Sequence, residues 1–263
     1  MNPVSAIGRG AVKGVGRWRS SIAFLGETTV CLFGAILHPR QFRFGDFLLA
    51  FQRAAFDGLP ITICIGSLLG LILAFQSAAA LQMFGVKVFV ADLLAFALFR
   101  ELGPLITAIL LAGRSGSAFA AEIGTMKVDE ELDALTTMGL PPVRFLVLPR
   151  VAAAVLAMPI LTVFAEISGI FGGAFVMQVM GVPSEIYWRH VTSITTVFMI
   201  VLGLSKSLVF GLLVGLVGCA AGMRTQSTSD GVGVAATSAV VGSIVTIAVA
   251  DGLMAVLCYV WKM

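Results

Sequence analysis

Charged side chains interrupt several otherwise apolar stretches of this chain. They are Arg100, Glu101, Glu166, Lys206 and Asp251. A charge inside a bilayer costs roughly 2.5 to 3.5 kcal/mol on insertion scales, so such groups pair with one another or face a cavity. Arg100 and Glu101 are neighbours and point about 100° apart on a helix, so they cannot simply neutralise each other face to face.

The types of these residues suit an anionic ligand. Arginine holds a phosphate through a bidentate fork, and lysine binds it as a point charge. Arg100 and Lys206 facing one cavity would therefore contact a lipid headgroup, with Glu101 holding a neighbour of Arg100 or gating the site. The alternative is that all five charges form structural ion pairs between helices, and both interpretations stay open here.

The elements that must position these charges are membrane spans. The chain has 263 residues, of which 59% are hydrophobic and 12% charged, and its mean hydropathy is +1.03. Soluble domains carry about 25% charged residues, so the composition predicts an all-α integral membrane protein. A span needs about 20 mostly apolar residues. Five spans are predicted, at residues 58–86, 93–113, 151–182, 191–222 and 232–261.

The amino-terminal residues 1–57 are a basic segment that precedes the transmembrane domain, residues 58–263. Within it, residues 22–37 are apolar but short and contain Glu27, and we interpret them as an interfacial helix. If they cross the membrane instead, either the topology of everything after them inverts or the amino terminus lies outside. Apolar residues interleave the basic ones, which argues against nucleic-acid binding.

Basic residues are divided unequally between the two sides of the predicted spans. Because cytoplasmic loops carry the excess of lysine and arginine, the division predicts a cytoplasmic amino terminus and a periplasmic carboxyl terminus. The twelve on the amino-terminal side are Arg9, Lys13, Arg17, Arg19, Arg40, Arg43, Arg53, Arg114, Lys127, Arg144, Arg150 and Arg224. The three on the other side are Lys87, Arg189 and Lys262.

A short helix is predicted between the second and third spans, at about residues 125–139. Thr125 is expected to be its N-cap. Gly139 suits the C′ position, and Pro141 and Pro142 prevent continuation.

This helix has an apolar stripe and an acidic surface. The stripe consists of Val128, Leu132 and Leu135, and the acids that lie mostly off it are Asp129, Glu130 and Asp133. Anionic lipid would repel such a helix. It fits a groove of a soluble partner, or it is a solvated loop helix, and the residues alone do not decide between the two.

Small residues recur at four-residue spacing in two spans. One row is Gly66, Gly70, Ala74 and Ala78, and the other is Gly203, Ser207, Gly211 and Gly215. Such rows let helix backbones approach closely in lipid. We interpret most of them as packing within one chain, and no row is assigned to a dimer.

The sequence resembles the MlaE/YrbE permeases, the membrane subunits of ABC transporters that work with MCE-domain lipid carriers. The resemblance runs from about residue 47 to the end. It is carried by Arg100-Glu-Leu-Gly-Pro104, Gly113-Arg-Ser-Gly-Ser-Ala-Phe-Ala-Ala-Glu-Ile-Gly-Thr-Met126, Glu131-Leu-Asp-Ala-Leu135 with Met138-Gly139 and Pro142, Pro149-Arg150, and Lys206-Ser207.

The resemblance implies a function and a set of partners. In that family the helix after the second span is a coupling helix seated on a cytoplasmic ABC ATPase, which here would use Lys127, Asp129, Glu130, Glu131, Leu132, Asp133, Leu135 and Met138. It also implies a homodimer, a periplasmic MCE-domain protein, a phospholipid substrate held between the two copies, and room for a small STAS-type accessory subunit. The setting would be the inner membrane of a Gram-negative bacterium, where the system maintains outer-membrane lipid asymmetry.

The sequence lacks the motifs of several kinds of catalytic and binding site. No Gly-x-x-x-x-Gly-Lys-[Ser/Thr] loop is present, so ATP hydrolysis is expected in a partner and not in this chain. The cysteines, Cys31, Cys64, Cys219 and Cys258, form no metal or disulfide pattern, and no cofactor is expected. The rival functions are an import permease for another hydrophobic substrate, or an autonomous ion-coupled transporter or channel that uses the buried charges.

Overall fold

The computed structural model describes residues 24, 26–31, 34, 43–83 and 86–260. In this part of the chain every regular element is helical, which confirms the all-α prediction. The α-helices are α1 Phe44–Ala55, α2 Leu59–Gln82, α3 Val90–Ala97, α4 Gly103–Leu111, α5 Ser117–Val128, α6 Glu131–Thr137, α7 Leu148–Val179, α8 Ser184–Ile194, α9 Val197–Met223 and α10 Ser229–Val260. Most of the basic segment lies outside the described residues. Of the predicted interfacial helix at 22–37, the structure describes residues 24, 26–31 and 34, all helical, and its position on the membrane stays a prediction.

Helices long and apolar enough to cross a membrane number five in the described chain, as predicted. They are span 1 Phe44–Leu81, span 2 Lys87–Val128, span 3 Val143–Val179, span 4 Val197–Met223 and span 5 Asp230–Val260. Spans 1 and 2 are longer than predicted, because α1 leads into α2 and α5 extends span 2. The protein is therefore a multi-pass membrane protein.

The predicted start of the fourth span, at residue 191, is wrong. Helix α8 ends at Ile194, and Thr195 and Thr196 take extended backbone with ψ of 102° and 144°. The Thr195 hydroxyl donates to the Val191 carbonyl at 2.7 Å. Threonine hydroxyls that bond nearby backbone compete with helix continuation. The apolar residues of α8 therefore belong to a separate helix that joins spans 3 and 4.

The predicted helix at 125–139 begins later than expected. Thr125 is not an N-cap but lies inside α5, because nothing before Asp129 interrupts that helix. The break falls at Glu130, whose φ of 60° is left-handed, and α6 starts at Glu131. Two acids in the first turn of α6 favour its positive N-terminal dipole. The predicted end is confirmed: Gly139 has φ of 74° and donates to the Thr136 carbonyl at 3.0 Å, closing a Schellman turn.

A proline creates a wide helical turn in the middle of span 2. Pro104 has no backbone N–H, and Gly103 before it donates to the Leu98 carbonyl, five residues back. Because the proline removes one α-helical hydrogen bond, the helix absorbs an extra residue as a π turn over Leu98–Leu102. The same arrangement precedes Pro149 at the start of α7. The two adjacent charges of span 2 lie inside the first of these turns.

The rows of small residues pack within the chain, as interpreted from the sequence. Gly70 of α2 lies against the backbone of Gly169 in α7, and Ala74 and Ala78 are fully buried. In the other row, Gly211 lies so close to span 3 that an added Cβ would be 2.7 Å from the Ala154 carbonyl oxygen. Both rows therefore hold helices of one chain together.

Candidate functional site

Three of the spans bring charged side chains together inside the membrane-crossing part of the bundle. Lys206 of span 4 donates to Asp251 Oδ1 of span 5 at 3.0 Å and to Glu101 Oε2 of span 2. Arg100 Nε lies 3.9 Å from Glu101 Oε1. We call Arg100, Glu101, Lys206 and Asp251 the intramembrane cluster. The structure thus joins the three predicted lipid-site residues and adds Asp251, which the sequence had marked only as a charge in the last span.

The members of the cluster differ in how much they are covered. Lys206 is 2% exposed, and its ammonium group faces two carboxylates. Arg100 and Glu101 are only half-buried, and the Arg100 guanidinium lies 5.3 Å from the centre of the Phe96 ring. The cluster therefore has a covered lysine at its base and an arginine–glutamate pair at its accessible edge.

Close helix packing fixes the geometry of the cluster. Gly203 lies one turn before Lys206, and a Cβ there would overlap the Phe99 carbonyl oxygen of span 2. Glu166 of α7, 2% exposed, is packed beside both spans: a Cβ on Gly103 would be 2.9 Å from its Oε1. Among the described residues Glu166 forms no ion pair, and span 3 therefore supports the cluster by contact rather than by charge pairing.

Helix α6 turns its leucines inward and its acids outward. Leu132 is buried in the hydrophobic core and Leu135 packs against that core. Exposed side chains include Asp129 and Glu130 in the turn before α6, Glu131 and Asp133 on α6, and Met138 just after it. Met138 is 72% exposed, and none of the four carboxylates pairs with a cation in the described part of the chain. The surface of α6 therefore offers unpaired negative charge beside one large apolar side chain.

Lys127, the remaining predicted coupling residue, is not on α6. It lies near the end of α5, and its Nζ donates to the Met223 carbonyl at the end of α9 at 2.8 Å. A cation at a helix C-terminus is favourable because the last carbonyls carry partial negative charge. Lys127 therefore ties α5 to span 4 instead of forming part of the acidic surface.

A second charged network lies at the end of the bundle that holds α6. Glu122 of α5 accepts from Arg53 of α1 and from Arg150 of α7, each at 2.9 Å. Arg114 donates to the Arg53 carbonyl at 3.0 Å and lies 3.6 Å from Asp57. In the sequence, Arg53 served only as a topology signal, whereas Arg114, Glu122 and Arg150 also belong to the motifs that carry the resemblance; none of the four was predicted to form a site. The available signal was one carboxylate in a stretch that also contains Arg114 and Lys127.

The opposite end of the bundle is closed by α8. The Tyr187 hydroxyl donates to the Ile170 carbonyl at 2.8 Å. Because this hydroxyl is buried, its pKa is raised. His190 Nδ1 lies 3.1 Å from Asp92 Oδ1 of α3. These contacts hold α8 against spans 2 and 3.

With five apolar spans, a buried charge cluster and an acidic helix between spans 2 and 3, the chain has the parts that the resemblance predicts. The family model described as Permease MlaE matches residues 47–257. The chain belongs to the MlaE permease family. It is a transmembrane transporter subunit rather than an enzyme, and the family match covers both the intramembrane cluster and α6.

Two of three relatives of this MlaE-family chain have names that state a role in transport. A probable ABC transporter permease protein of Synechocystis is 36% identical over 196 residues, 74% of each chain. The intermembrane phospholipid transport system permease protein MlaE of Haemophilus influenzae is 35% identical over 221 residues, 82% of this chain and 85% of its own. The chloroplastic protein Trigalactosyldiacylglycerol 1 of Arabidopsis thaliana is 36% identical over 201 residues, 76% of this chain and 57% of its own.

Proposed function

We propose that this chain is the permease subunit of an ABC transporter that moves phospholipid between the inner membrane and a periplasmic MCE-domain carrier. Such transport would maintain the lipid asymmetry of the outer membrane. The observation that carries the proposal is the intramembrane cluster, which places a half-buried arginine beside a carboxylate within the spans. The phospholipid transport name of the Haemophilus relative supports it. Another hydrophobic substrate is the alternative within the same class of transporter.

In this proposal the cluster binds the lipid headgroup. Arg100 holds the phosphate through its planar fork of donors. Glu101 competes with the phosphate for Arg100, so it releases Arg100 when lipid enters and recovers it when lipid leaves. Lys206 keeps Glu101 in place, and together with Arg100 it balances the charges of Glu101 and Asp251, so the cluster does not repel an approaching anion.

The energy comes from a cytoplasmic ABC ATPase that docks on α6. Its exposed acids and Met138 suit a partner groove with basic and apolar side chains. The assembly contains two copies of the permease with an amino terminus in the cytoplasm, two ATPase subunits, an MCE-domain protein and a STAS-type accessory subunit. The basic residues that precede span 1 form its interfacial segment, and spans 1 to 5 form the permease domain.

The decisive experiment is reconstitution with and without the ATPase. Liposomes that contain the chain and its ATPase are expected to exchange fluorescent phospholipid with the MCE-domain carrier only when ATP is present. Liposomes with the chain alone are expected to move neither lipid nor ions. Robust ATP-independent flux by the chain alone would instead support the second candidate, a transporter or channel that uses the intramembrane cluster as its pathway.

Reversing the charge of α6 is expected to detach the ATPase. Glu131→Lys with Asp133→Lys turns the acidic face basic, and co-purification of the ATPase should fall at least about tenfold, which corresponds to about 1.4 kcal/mol. Both side chains are exposed, so the permease should keep its thermal midpoint. The matched control is Glu185→Lys, an exposed acid on α8 at the other end of the bundle. Undiminished co-purification of the double variant would exclude docking through this face.

A further inference from the structure

Glu122 is the point at which α5 is bonded to two other spans. Its Oε1 accepts from Arg53 Nη1 of span 1 at 2.9 Å. Its Oε2 accepts from Arg150 of span 3 through Nη2 at 2.9 Å and Nε at 3.2 Å. One carboxylate thus receives three charge-assisted hydrogen bonds, which are roughly twice as strong as neutral ones.

The partners of Glu122 are themselves held in place. Arg150 Nη1 donates to the Leu146 carbonyl at 2.9 Å, and its side chain is largely buried. The Arg53 carbonyl accepts from Arg114 at 3.0 Å. Isolated surface ion pairs contribute little, but networks with paired guanidinium contacts are the exception. We therefore treat Glu122, Arg53 and Arg150 as one unit, the Glu122 joint.

The joint lies between α6 and the intramembrane cluster. Helix α6 is connected to α5 by a two-residue turn, Asp129–Glu130, so a displacement of α6 is passed to α5. The joint passes it to Arg150, at the start of α7. Sixteen residues further along α7 comes Glu166, roughly 24 Å away at 1.5 Å per residue. Glu166 touches Gly103 of span 2, two residues from Glu101.

We propose that the Glu122 joint transmits movement of the ATPase-bound helix α6 to span 3, and through it to the headgroup site. This inference rests on the proposed function and names the residue that couples its two parts. Glu122 is a positioning residue in this scheme, since it contacts neither lipid nor nucleotide. Because Arg150 is less exposed and contributes two of the three bonds, its link matters more than the Arg53 link.

The test replaces Glu122 with glutamine in the complete transporter with its ATPase. An amide is uncharged and replaces one acceptor oxygen with an NH2 donor, so one of the two guanidinium groups would face a donor instead of an acceptor. Glu122→Gln should lower the number of phospholipid molecules moved per ATP hydrolysed roughly tenfold. An effect of this size lies within the usual range of coupling between linked sites. ATPase co-purification should match that of Asp46→Asn, and a modest drop in the thermal midpoint from the unpaired Arg150 should leave the complex folded at the assay temperature. That control removes an acid at the same end of the bundle. Its ion pair with Arg43 is local, three residues apart, and joins no two spans.

A mutant cycle identifies the partner. Arg150→Gln alone should reproduce the full loss of lipid moved per ATP. In the Glu122→Gln background the same substitution should change this ratio less than about twofold, because the effects of groups in one network are not additive. Arg53→Gln should give a smaller loss. A ratio unchanged in Glu122→Gln overturns the joint, and so does a loss that only follows a lower thermal midpoint. If Glu122→Gln does not fold, an unchanged ratio in folded Arg150→Gln is equally decisive.

A second measurement does not depend on lipid transport. Spin labels are placed on cysteines introduced at Thr137 of α6 and Val179 of α7, both exposed, in a chain whose native cysteines are serine. ATP with vanadate should change the distance between the labels, and Glu122→Gln should abolish the change. An equal change in the variant, or none in the parent complex, overturns the joint. If the parent moves no lipid but shows this change, the proposed function fails and the joint stands.

Discussion

Lys206→Met is expected to abolish ATP-driven phospholipid transfer and to lower the thermal midpoint of the purified chain by several degrees. Lys206 is the cation between Glu101 and Asp251 and is almost completely covered. Removing one partner of a buried ion pair leaves uncompensated charge and costs 3–5 kcal/mol. We expect about 3 kcal/mol, the lower limit of that range, because both carboxylates keep some exposure.

A triple variant separates the structural effect of Lys206 from its effect on lipid. Lys206→Met combined with Glu101→Gln and Asp251→Asn removes the carboxylate charges that the lysine compensates. Replacing a buried ion pair as a whole is often neutral for stability, so the thermal midpoint should largely recover. Lipid transfer should remain lost, because without the Glu101 carboxylate nothing competes with the phosphate for Arg100 and recovers the arginine when lipid leaves.

The control for Lys206 is an exposed pair. Arg189→Ala removes a surface ion pair with Glu185 on α8, and it should change the free energy of unfolding by less than about 1 kcal/mol. If the triple variant regains transfer together with stability, the cluster is a structural ion-pair network and the headgroup site lies elsewhere. Unchanged crosslinking in Lys206→Met would exclude a contribution of the lysine to lipid binding.

The number of spans could be predicted because the hydropathy and length of a segment depend only on its own residues. A stretch of apolar residues must avoid water whatever its neighbours are, and each span contains such a stretch. The ends of the elements were less predictable. The apolar side chains of α8 continue the hydropathy of span 4, and only the backbone at Thr195 and Thr196 separates the two helices.

The charges of the cluster could be found in the sequence, but their pairing could not. Which carboxylate meets Lys206 depends on the rotation of three helices about their axes. In span 2 that rotation is altered by the π turn before Pro104, which shifts the directions of Arg100 and Glu101 from those of a regular helix. The sequence indicates that each buried charge must have a partner, and the packing of the helices decides which residue that partner is.

Glu122 shows a further limit of the sequence. It lies in a stretch rich in small residues, from Gly113 to Gly124, and nothing in the local sequence identifies its partners. Its partners, Arg53 and Arg150, are 69 and 28 residues away along the chain. Contacts of that separation follow from the tertiary arrangement of spans 1, 2 and 3, so only the structure could bring them together.

The second large effect is expected where spans 1 and 3 cross. Gly70→Ala should force the two helices apart and lower the stability of the chain. A Cβ on Gly70 would lie 2.5 Å from the carbonyl carbon of Gly169 and closer still to its oxygen. Overpacking costs 1–3 kcal/mol where side chains can move. Here the obstacle is backbone, so about 3 kcal/mol is expected, and the helix-propensity gain of alanine, about 1 kcal/mol, does not offset it.

Gly252→Ala is the matched control, because this glycine also lies in a span and a Cβ there meets nothing within 4 Å. Its thermal midpoint in detergent should equal or exceed that of the parent chain, whereas Gly70→Ala should lose several degrees. Since Gly169 already lacks a side chain, no second substitution at that position can restore the space. The loss should also be independent of protein concentration, because the two helices belong to one chain and not to two copies. A Gly70→Ala midpoint equal to that of the control would mean that spans 1 and 3 do not cross at these glycines.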